Sequence, residues 1–241
     1  MMSDAGRCGW LLVSDIDDTF LGDAGATLRL IREAGRQGVA IALNSSRPWV
    51  SVAETVAGLP EGWRPRATIT AMGTQVRIDE KEQVAWAERF GGWSRGPFDA
   101  LAAERGWVAH EAAMQTAYKA SYALPEGADR DAVREQILAA GRALVVISGG
   151  GDLDVLPVSA GKGPATVYLA GVLGFGMDRV VVAGDSANDL GMFEVAERAI
   201  AVGNARAELT SRADPERTYF ARGCCAGGII EGLMAYGVLS D

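Results

Sequence analysis

Asp15 and Asp17 stand two residues apart in the stretch LLVSDIDDTFLGD, Leu11 to Asp23, directly after an aliphatic run. Side chains alternate faces along a strand, so both carboxylates can enter one cleft at the strand's carboxyl end while Ile16 packs below. Two carboxylates this close repel, and the usual remedies are a bound cation or a raised pKa on one of them. A solvated acidic turn is the other reading of the same residues. Three later segments bear on the choice. IALNSSRP places Ser45 just past an apolar run, SAGKGPATVYL places Lys162 just before a helical pattern, and VVVAGDSANDLGMF places Asp185, Asn188 and Asp189 past a further apolar run. Hydroxyl, ammonium and carboxylates at separate strand ends suit a phosphate-plus-magnesium site: a hard cation takes oxygen ligands, while Lys and Ser donate to phosphoryl oxygens. Singly, each is explained by a turn hydroxyl, a solvated lysine or an N-cap; their joint order points to chemistry.

The elements that must position these residues follow from periodicity. Short apolar runs at Trp10–Ser14, Val39–Leu43, Ala67–Ala71, Val180–Ala183 and Ala199–Val202 predict strands, and Thr27–Gln37, Trp49–Gly58, Ala165–Gly174 and Leu190–Glu197 read as helices. Strands alternating with helices predict a doubly wound, Rossmann-like α/β sheet with ligands beyond the strands' carboxyl ends. Between Val76 and Leu156 the alternation gives way to a hairpin around DEKE, helices over Pro97–Arg105 and Arg130–Gly141, and the strand-like YKASYAL, ALVVISGG and DLDVLPV. The expected organisation is a core of residues 1–75 and 157–241 with an α+β cap of residues 76–156 inserted between its halves.

At 241 residues, 49% hydrophobic, the chain can bury a sizeable core, and its net charge of −8 supplies no basic face for nucleic acid or anionic membrane. Cys8, Cys224 and Cys225 form no spaced disulfide framework, which fits a reducing cytoplasm. The start, MMSDAGRCGW, has no apolar leader pattern, and no run approaches the length of a membrane span. A single histidine, His110, excludes two-histidine metal motifs and would have to serve any Ser-His-Asp triad.

In order, DIDDT, Ser45, Lys162 and GDSAND resemble the four motifs of the haloacid dehalogenase superfamily of phosphatases, and the insert resembles that superfamily's larger α/β cap. MGTQVRI, YKASYAL, DLDVLPVSAGKGPA, VGNA and TYFARGCCAGGIIEGLMAYG extend the similarity to the sucrose-6-phosphate phosphatase family, which includes mannosylfructose-phosphate phosphatases and the phosphatase-like domains of sucrose-phosphate synthases. The resemblance implies that Asp15 attacks phosphorus and that Asp17 protonates the leaving oxygen, then deprotonates water. It implies one Mg²⁺ on Asp15, the Asp17 backbone carbonyl and Asp185, with Ser45 and Lys162 on the phosphoryl oxygens. Thr19, Ser186, Asn188 and Asp189 would support them, Asp189 by orienting Lys162 or a metal-bound water. Ser46, Arg47, Gly73, Thr74 and Gln75, with Gln115, Lys119 and Tyr122 of the insert, would surround the sugar of a small-molecule sugar phosphate, and a sugar-phosphate synthase is the implied partner. Two departures stand out. Ser45-Ser46-Arg47 replaces the usual Thr-Gly-Arg, so Ser46 lacks glycine's freedom at positive φ, and Gln75 stands where sucrose phosphatases typically carry Glu.

Two other classes use similar residues. A phosphorylatable signalling module needs no second Asp two residues on and no cap, and a non-catalytic sugar-phosphate sensor needs no complete set of catalytic groups; both differ from this sequence in what it contains.

Overall fold

Leu11 and Val13 belong to one buried cluster and Leu12 to another, so the first strand is covered on both faces, as its unbroken apolar run requires. The computed structural model describes residues 9–240, so Cys8 and most of the MMSDAGRCGW start lie outside the described residues. In chain order the core begins with β1 (Trp10–Ser14), α1 (Ala24–Arg36), β2 (Val39–Asn44), α2 (Trp49–Ala57), β3 (Ala67–Thr70), β4 (Gln75–Ile78), β5 (Lys81–Glu82) and the short α3 (Val84–Ala87). An insert follows with α4 (Gly96–Arg105), β6 (Val108–Ala109), β7 (Ala120–Ala123), α5 (Arg130–Ala140), β8 (Leu144–Ser148) and β9 (Asp152–Leu156). The chain then returns through α6 (Lys162–Leu173), β10 (Val180–Gly184), α7 (Leu190–Val195), β11 (Arg198–Ala201), α8 (Ala207–Thr210), β12 (Thr218–Phe220) and α9 (Cys225–Ala235).

The core sheet runs β12-β11-β10-β1-β2-β3-β4-β5, parallel from β12 to β3, with β4 and β5 added antiparallel at one edge. One buried cluster joins the sheet to α6 and α7, and the other joins it to α1, α2 and α9. The insert has its own antiparallel sheet, β6-β7-β9-β8, and its own apolar cluster built on Phe98, Trp107, Tyr122 and Ile137. Among the described residues no helix is long and apolar enough to cross a membrane.

The hairpin around DEKE differs from the sequence expectation. Gln75 to Ile78 pairs with β3, so the hairpin extends the core sheet and is not part of the insert's sheet. Trp86 and Phe90 likewise pack into the core cluster, whereas Phe98 packs into the insert's. Periodicity reads an alternating strand but not the sheet it joins. By pairing and packing, Gln75 to Ile78, Trp86 and Phe90 go with the core, and the insert's own buried cluster runs from Phe98 to Val155. The helix boundaries move by at most three residues, as at α1, which Asp23 caps by accepting from the Ala26 N–H.

Candidate active site

Strand register brings the acidic and hydroxyl groups to one edge. Ser14 is level with Leu43 of β2 and with Ala183 of β10, so Ser45 and Asp185 both fall one residue beyond the level of Asp15. Backbone bonds from Asp15 N–H to Ala183 and from Ser45 N–H to Ile69 carry the parallel pattern past the strand ends. Lys162 arrives from the opposite direction, at the start of α6. Its approach depends on Gly73: at φ +85, a Cβ there would lie 2.2 Å from the Gly161 carbonyl oxygen. Gly73 therefore packs the 71–73 turn against the lysine's own loop and reaches the site only through it. Asn44 fixes the same helix start, its amide donating to the Lys162 carbonyl at 3.2 Å and to Thr166 Oγ1 at 3.3 Å.

Lys162 is buried and donates to Asp15 Oδ1 at 2.5 Å, Asp189 Oδ1 at 2.6 Å and Asn188 Oδ1 at 2.9 Å. Burial alone pulls an ammonium's pKa down, but the Asp15 and Asp189 carboxylates outweigh it and hold Lys162 above its usual range. Asp189 Oδ2 accepts the N–H groups of Asp185 and Ser186 at 3.0 and 3.1 Å, closing a capping box with Ser186. Gly184 makes that fold-back possible, since a Cβ there would sit 2.6 Å from Asp189. Thr19 Oγ1 donates to Asp185 Oδ1 at 3.2 Å and so anchors that carboxylate.

Asp15, Asp185 and Asp189 bring oxygens within 4.8 Å of one another. Burial, less the pull of Lys162, pushes the Asp15 carboxyl up to about 8, and burial with the neighbouring Asp189 pushes Asp185 up to about 6. One ammonium does not balance three buried carboxylates, and an oxygen-lined pocket with surplus negative charge suits a hard divalent cation. Asp189 has both oxygens committed to Lys162 and two backbone donors, so Asp15 and Asp185 are the carboxylates left to hold the ion.

Asp17 sits differently. Its side chain is 60% exposed, and Arg47 Nε lies 3.0 Å from its Oδ2, close enough for attraction but off a hydrogen-bond axis. Both Asp15 and Asp17 line a cleft of about 250 Å³ under the insert, as expected for the pair, and Ser46, Asp185, Ser186 and Asn188 line it too. Ser45 is buried beside it, its Oγ accepting the Arg47 N–H at 3.1 Å. Ser46 does not adopt a positive φ, so the Ser-Ser-Arg turn needs no glycine; Asp18, at φ 59, and Ala71 and Met72, at φ 49 and 55 in the turn bonded to Ser45 and Arg47, do.

From the insert, only Lys119 of the three expected residues lines the cleft. It is 1% exposed, with Nζ 3.0 Å from Asp154 Oδ1 and 3.3 Å from Ser121 Oγ, which itself donates to Asp154 at 2.6 Å. Gln115 is spent on backbone, bonding the Ser121 N–H and the Ser121 and His110 carbonyls. Tyr122 points its hydroxyl at Asp99, 2.6 Å away, inside the insert's own core; burial and that carboxylate hold the phenol above its usual range. Thr74 caps its own turn on the Ala71 carbonyl, and Gln75 accepts from Trp49 N–H at 3.1 Å and Thr70 Oγ1 at 3.0 Å. Gly73, Thr74, Gln75, Gln115 and Tyr122 are thus framework contacts in this arrangement, not walls of the cleft. A short polar-and-aromatic run does not reveal which side chain each backbone carbonyl will claim.

The cleft also contains Asp154 and Arg206, which the sequence reading passed over, and His110, weighed there only for a triad or metal motif, whose Nε2 is 3.2 Å from Asp152 Oδ1. DLD in a half-buried strand was a legible signal, because alternation puts Asp152 and Asp154 on one face. Asn204, within the VGNA segment, donates its amide to the Asp18 carbonyl at 2.7 Å across 186 residues.

Comparison with known proteins agrees with this architecture. The family model described as sucrose-6F-phosphate phosphohydrolase matches residues 9–237. The chain is 34% identical to a mannosylfructose-phosphate phosphatase of Agrobacterium fabrum, over 95% of this chain and 97% of that protein. A sucrose-phosphatase from Synechocystis sp. PCC6803, solved with sucrose and phosphate, superposes with a TM-score of 0.87 at 30% identity, covering 95% of this chain and 98% of that one. A haloalkanoate-superfamily phosphatase from Bacteroides thetaiotaomicron, at 15% identity and 99% coverage of both chains, shares the fold with a TM-score of 0.74. With its match running from the first core strand to the last helix, the chain belongs to the sucrose-6F-phosphate phosphohydrolase family, whose members are phosphoric monoester hydrolases of the haloacid dehalogenase superfamily.

Proposed function

We propose that the chain hydrolyses a phosphorylated disaccharide in the cytoplasm, sucrose-6-phosphate first and mannosylfructose phosphate second, with Mg²⁺ as its cofactor. The observation that carries this reading is that Asp15, fixed by Lys162, shares one cleft with the buried Lys119–Asp154–Ser121 network of the cap. Phosphate chemistry and hydroxyl recognition then have separate walls. A family model described as sucrose-6F-phosphate phosphohydrolase and a relative named mannosylfructose-phosphate phosphatase, at 34% identity over 95% of the chain, support these two substrates.

Asp15 attacks phosphorus with one carboxylate oxygen, the bond to the sugar oxygen breaks, and Asp17 gives that oxygen its proton. Asp17 then takes a proton from water, whose oxygen attacks the same phosphorus; phosphate leaves and the Asp15 carboxylate is restored. For this, Asp17 must leave Arg47, which holds it at the cleft mouth in the arrangement described. Lys162 and Ser45 donate to the phosphoryl oxygens, and Asp189 keeps Lys162 aimed. Asp15, Asp185 and the Asp17 backbone carbonyl would hold Mg²⁺, which supplies positive charge against the phosphoryl oxygens when bound. A glycosyl-transferring synthase would supply such a substrate, the partner that the family resemblance suggests.

The deciding experiment is phosphate release from a panel of sugar phosphates with Mg²⁺. Preference for a disaccharide phosphate is expected; equal rates on glucose-6-phosphate and fructose-6-phosphate would reduce the reading to a general sugar phosphatase.

A further inference from the structure

Cap and core also touch through residues that neither chain crossing contains. At the start of α5 in the cap, Arg130 Nη1 lies 2.9 Å from Glu208 Oε1 of α8 in the core. Its Nη2 donates to the Gly149 carbonyl at 2.7 Å, in the cap loop between β8 and β9. Gly149 and its neighbours Ser148 and Asp152 line the catalytic cleft. On the core side, Arg206 stands two residues before Glu208; its N–H donates to the Asp185 carbonyl at 2.7 Å, and its guanidinium lies 3.4 Å from where a Cβ on Gly149 would be. Glu208 uses only one oxygen: Oε2 is buried with no partner. Among the described residues, Glu208's ion-pair partner is Arg130 and Arg130's is Glu208, so the pair exists only while cap and core are together.

We infer that Arg130 is a positioning residue, a latch that holds the cap over the cleft and presses the Ser148–Asp152 loop toward the Asp185 side of the site. The strength of the contact suits that task. Its side chains are 44% and 36% exposed, so water and salt weaken the attraction, and it biases closure by only a few-fold. A stronger, buried pair would impede the opening needed to release the sugar and phosphate. Because Arg130 and the Gly149 loop both belong to the cap, opening breaks only the contact to Glu208, and the loop that Arg130 holds lifts away from the Asp185 side together with the cap. The kinetic part of this inference rests on the proposed phosphatase reading; the geometric part does not.

The test uses Arg130→Glu, Glu208→Arg and the two together, with small-angle scattering to measure the radius of gyration and kcat/KM on sucrose-6-phosphate and p-nitrophenyl phosphate. Each single reversal should enlarge the radius and lower kcat/KM on the sugar phosphate by roughly three- to tenfold, mostly through KM. p-Nitrophenyl phosphate, with no sugar for the cap to grip, should be less affected. The double reversal should restore both readouts to within about twofold. Raising NaCl from about 50 mM to about 500 mM should enlarge the wild-type radius but not that of Arg130→Gln, a milder variant that removes the charge without reversing it. Unchanged radii in both single reversals, or a double variant as impaired as the singles combined, would overturn the latch. If no disaccharide phosphate is hydrolysed at all, the function fails while the radii still decide the latch.

Discussion

Lys162 and Asp189 meet at 2.6 Å with neither side chain exposed to solvent, and the same carboxylate takes the N–H groups of Asp185 and Ser186 on its other oxygen. One side chain therefore fixes both the cation that touches Asp15 and the loop that carries Asp185. A buried ion pair of this kind adds little net stability over apolar packing, but removing one partner strands the other. Its value is in geometry: Asp189 keeps Lys162 beside Asp15, where one of its three donors can turn to a phosphoryl oxygen.

Replacing Asp189 should therefore damage the fold and the chemistry together. Asp189→Ala leaves Lys162 and two backbone donors without their acceptor, and a loss of about 3–5 kcal/mol is expected. Asp189→Asn keeps the shape and one acceptor, so it should fold with a smaller loss while kcat falls by roughly 10–100-fold through misdirected lysine. Thermal denaturation and steady-state kinetics on the two variants check this. A stable Asp189→Asn enzyme with wild-type kcat would separate Asp189 from the catalytic geometry.

The raised carboxyls make stability depend on pH and metal. A carboxyl whose folded pKa lies above its unfolded value favours the folded state at low pH, and that contribution is lost as pH rises through the folded pKa. Asp15, pushed up to about 8 from 3.8, and Asp185, pushed up to about 6, lose it between about pH 4 and 8. Lys162, held above its ordinary value, keeps its contribution throughout that window. Without metal, the Tm should thus fall from pH 5 to pH 8. Added Mg²⁺ should raise Tm more at pH 8 than at pH 5, because it must displace protons at the lower pH. EDTA should abolish activity, Mg²⁺ restore it and Ca²⁺ inhibit, since the looser calcium shell aligns the reacting atoms poorly. A metal-induced rise independent of pH, or full turnover in EDTA, would count against the site.

What the sequence disclosed and what it withheld divide along a physical line. Asp15, Ser45, Lys162 and Asp185 lie at strand or helix ends, where period and chain order fix position, and register brings Asp15, Ser45 and Asp185 to one edge. The cap residues lie in short, irregular segments where a local hydrogen bond decides direction. Gln115 turned to the backbone of Ser121 and Tyr122 to Asp99, while Asp154 entered the cleft from a strand whose alternation allowed it. The hairpin at Gln75 was legible as strands but not as a member of the core sheet, since pairing across loops leaves no trace in period. Arg130 and Glu208 are 78 residues apart, and nothing local marks either as the other's partner.

Gln75 makes a sharp case. Its carbonyl oxygen accepts from the first N–H of α2, on Trp49, and from the Thr70 hydroxyl. A carboxylate can accept both bonds, so Gln75→Glu should fold normally and change kcat/KM on the preferred substrate by less than about threefold. A change of more than about tenfold in the ratio of sucrose-6-phosphate to mannosylfructose phosphate would instead place residue 75 in contact with the sugar.

Lys119 is the cap residue on which substrate choice turns. It lines the cleft although 1% exposed, and Asp154, Ser121 and the Met114 carbonyl surround its ammonium, so a sugar hydroxyl would take over one of these long contacts. A sugar hydroxyl leaving water needs such a partner, and a monosaccharide phosphate too short to reach the cap leaves the lysine unused. The disaccharide phosphate should exceed glucose-6-phosphate and fructose-6-phosphate by at least about a hundredfold in kcat/KM, equivalent to roughly 2.7 kcal/mol. Lys119→Ala should erase much of that preference while p-nitrophenyl phosphate hydrolysis stays within about threefold, because the lysine touches no phosphoryl oxygen. The same variant strands the Asp154 carboxylate, so a lower Tm is expected, and Lys119→Ala with Asp154→Asn should recover stability without recovering the preference. If Lys119→Ala lowers every substrate equally once folding is restored by the second change, the lysine serves the cap's structure alone and disaccharide selectivity must come from another wall of the cleft.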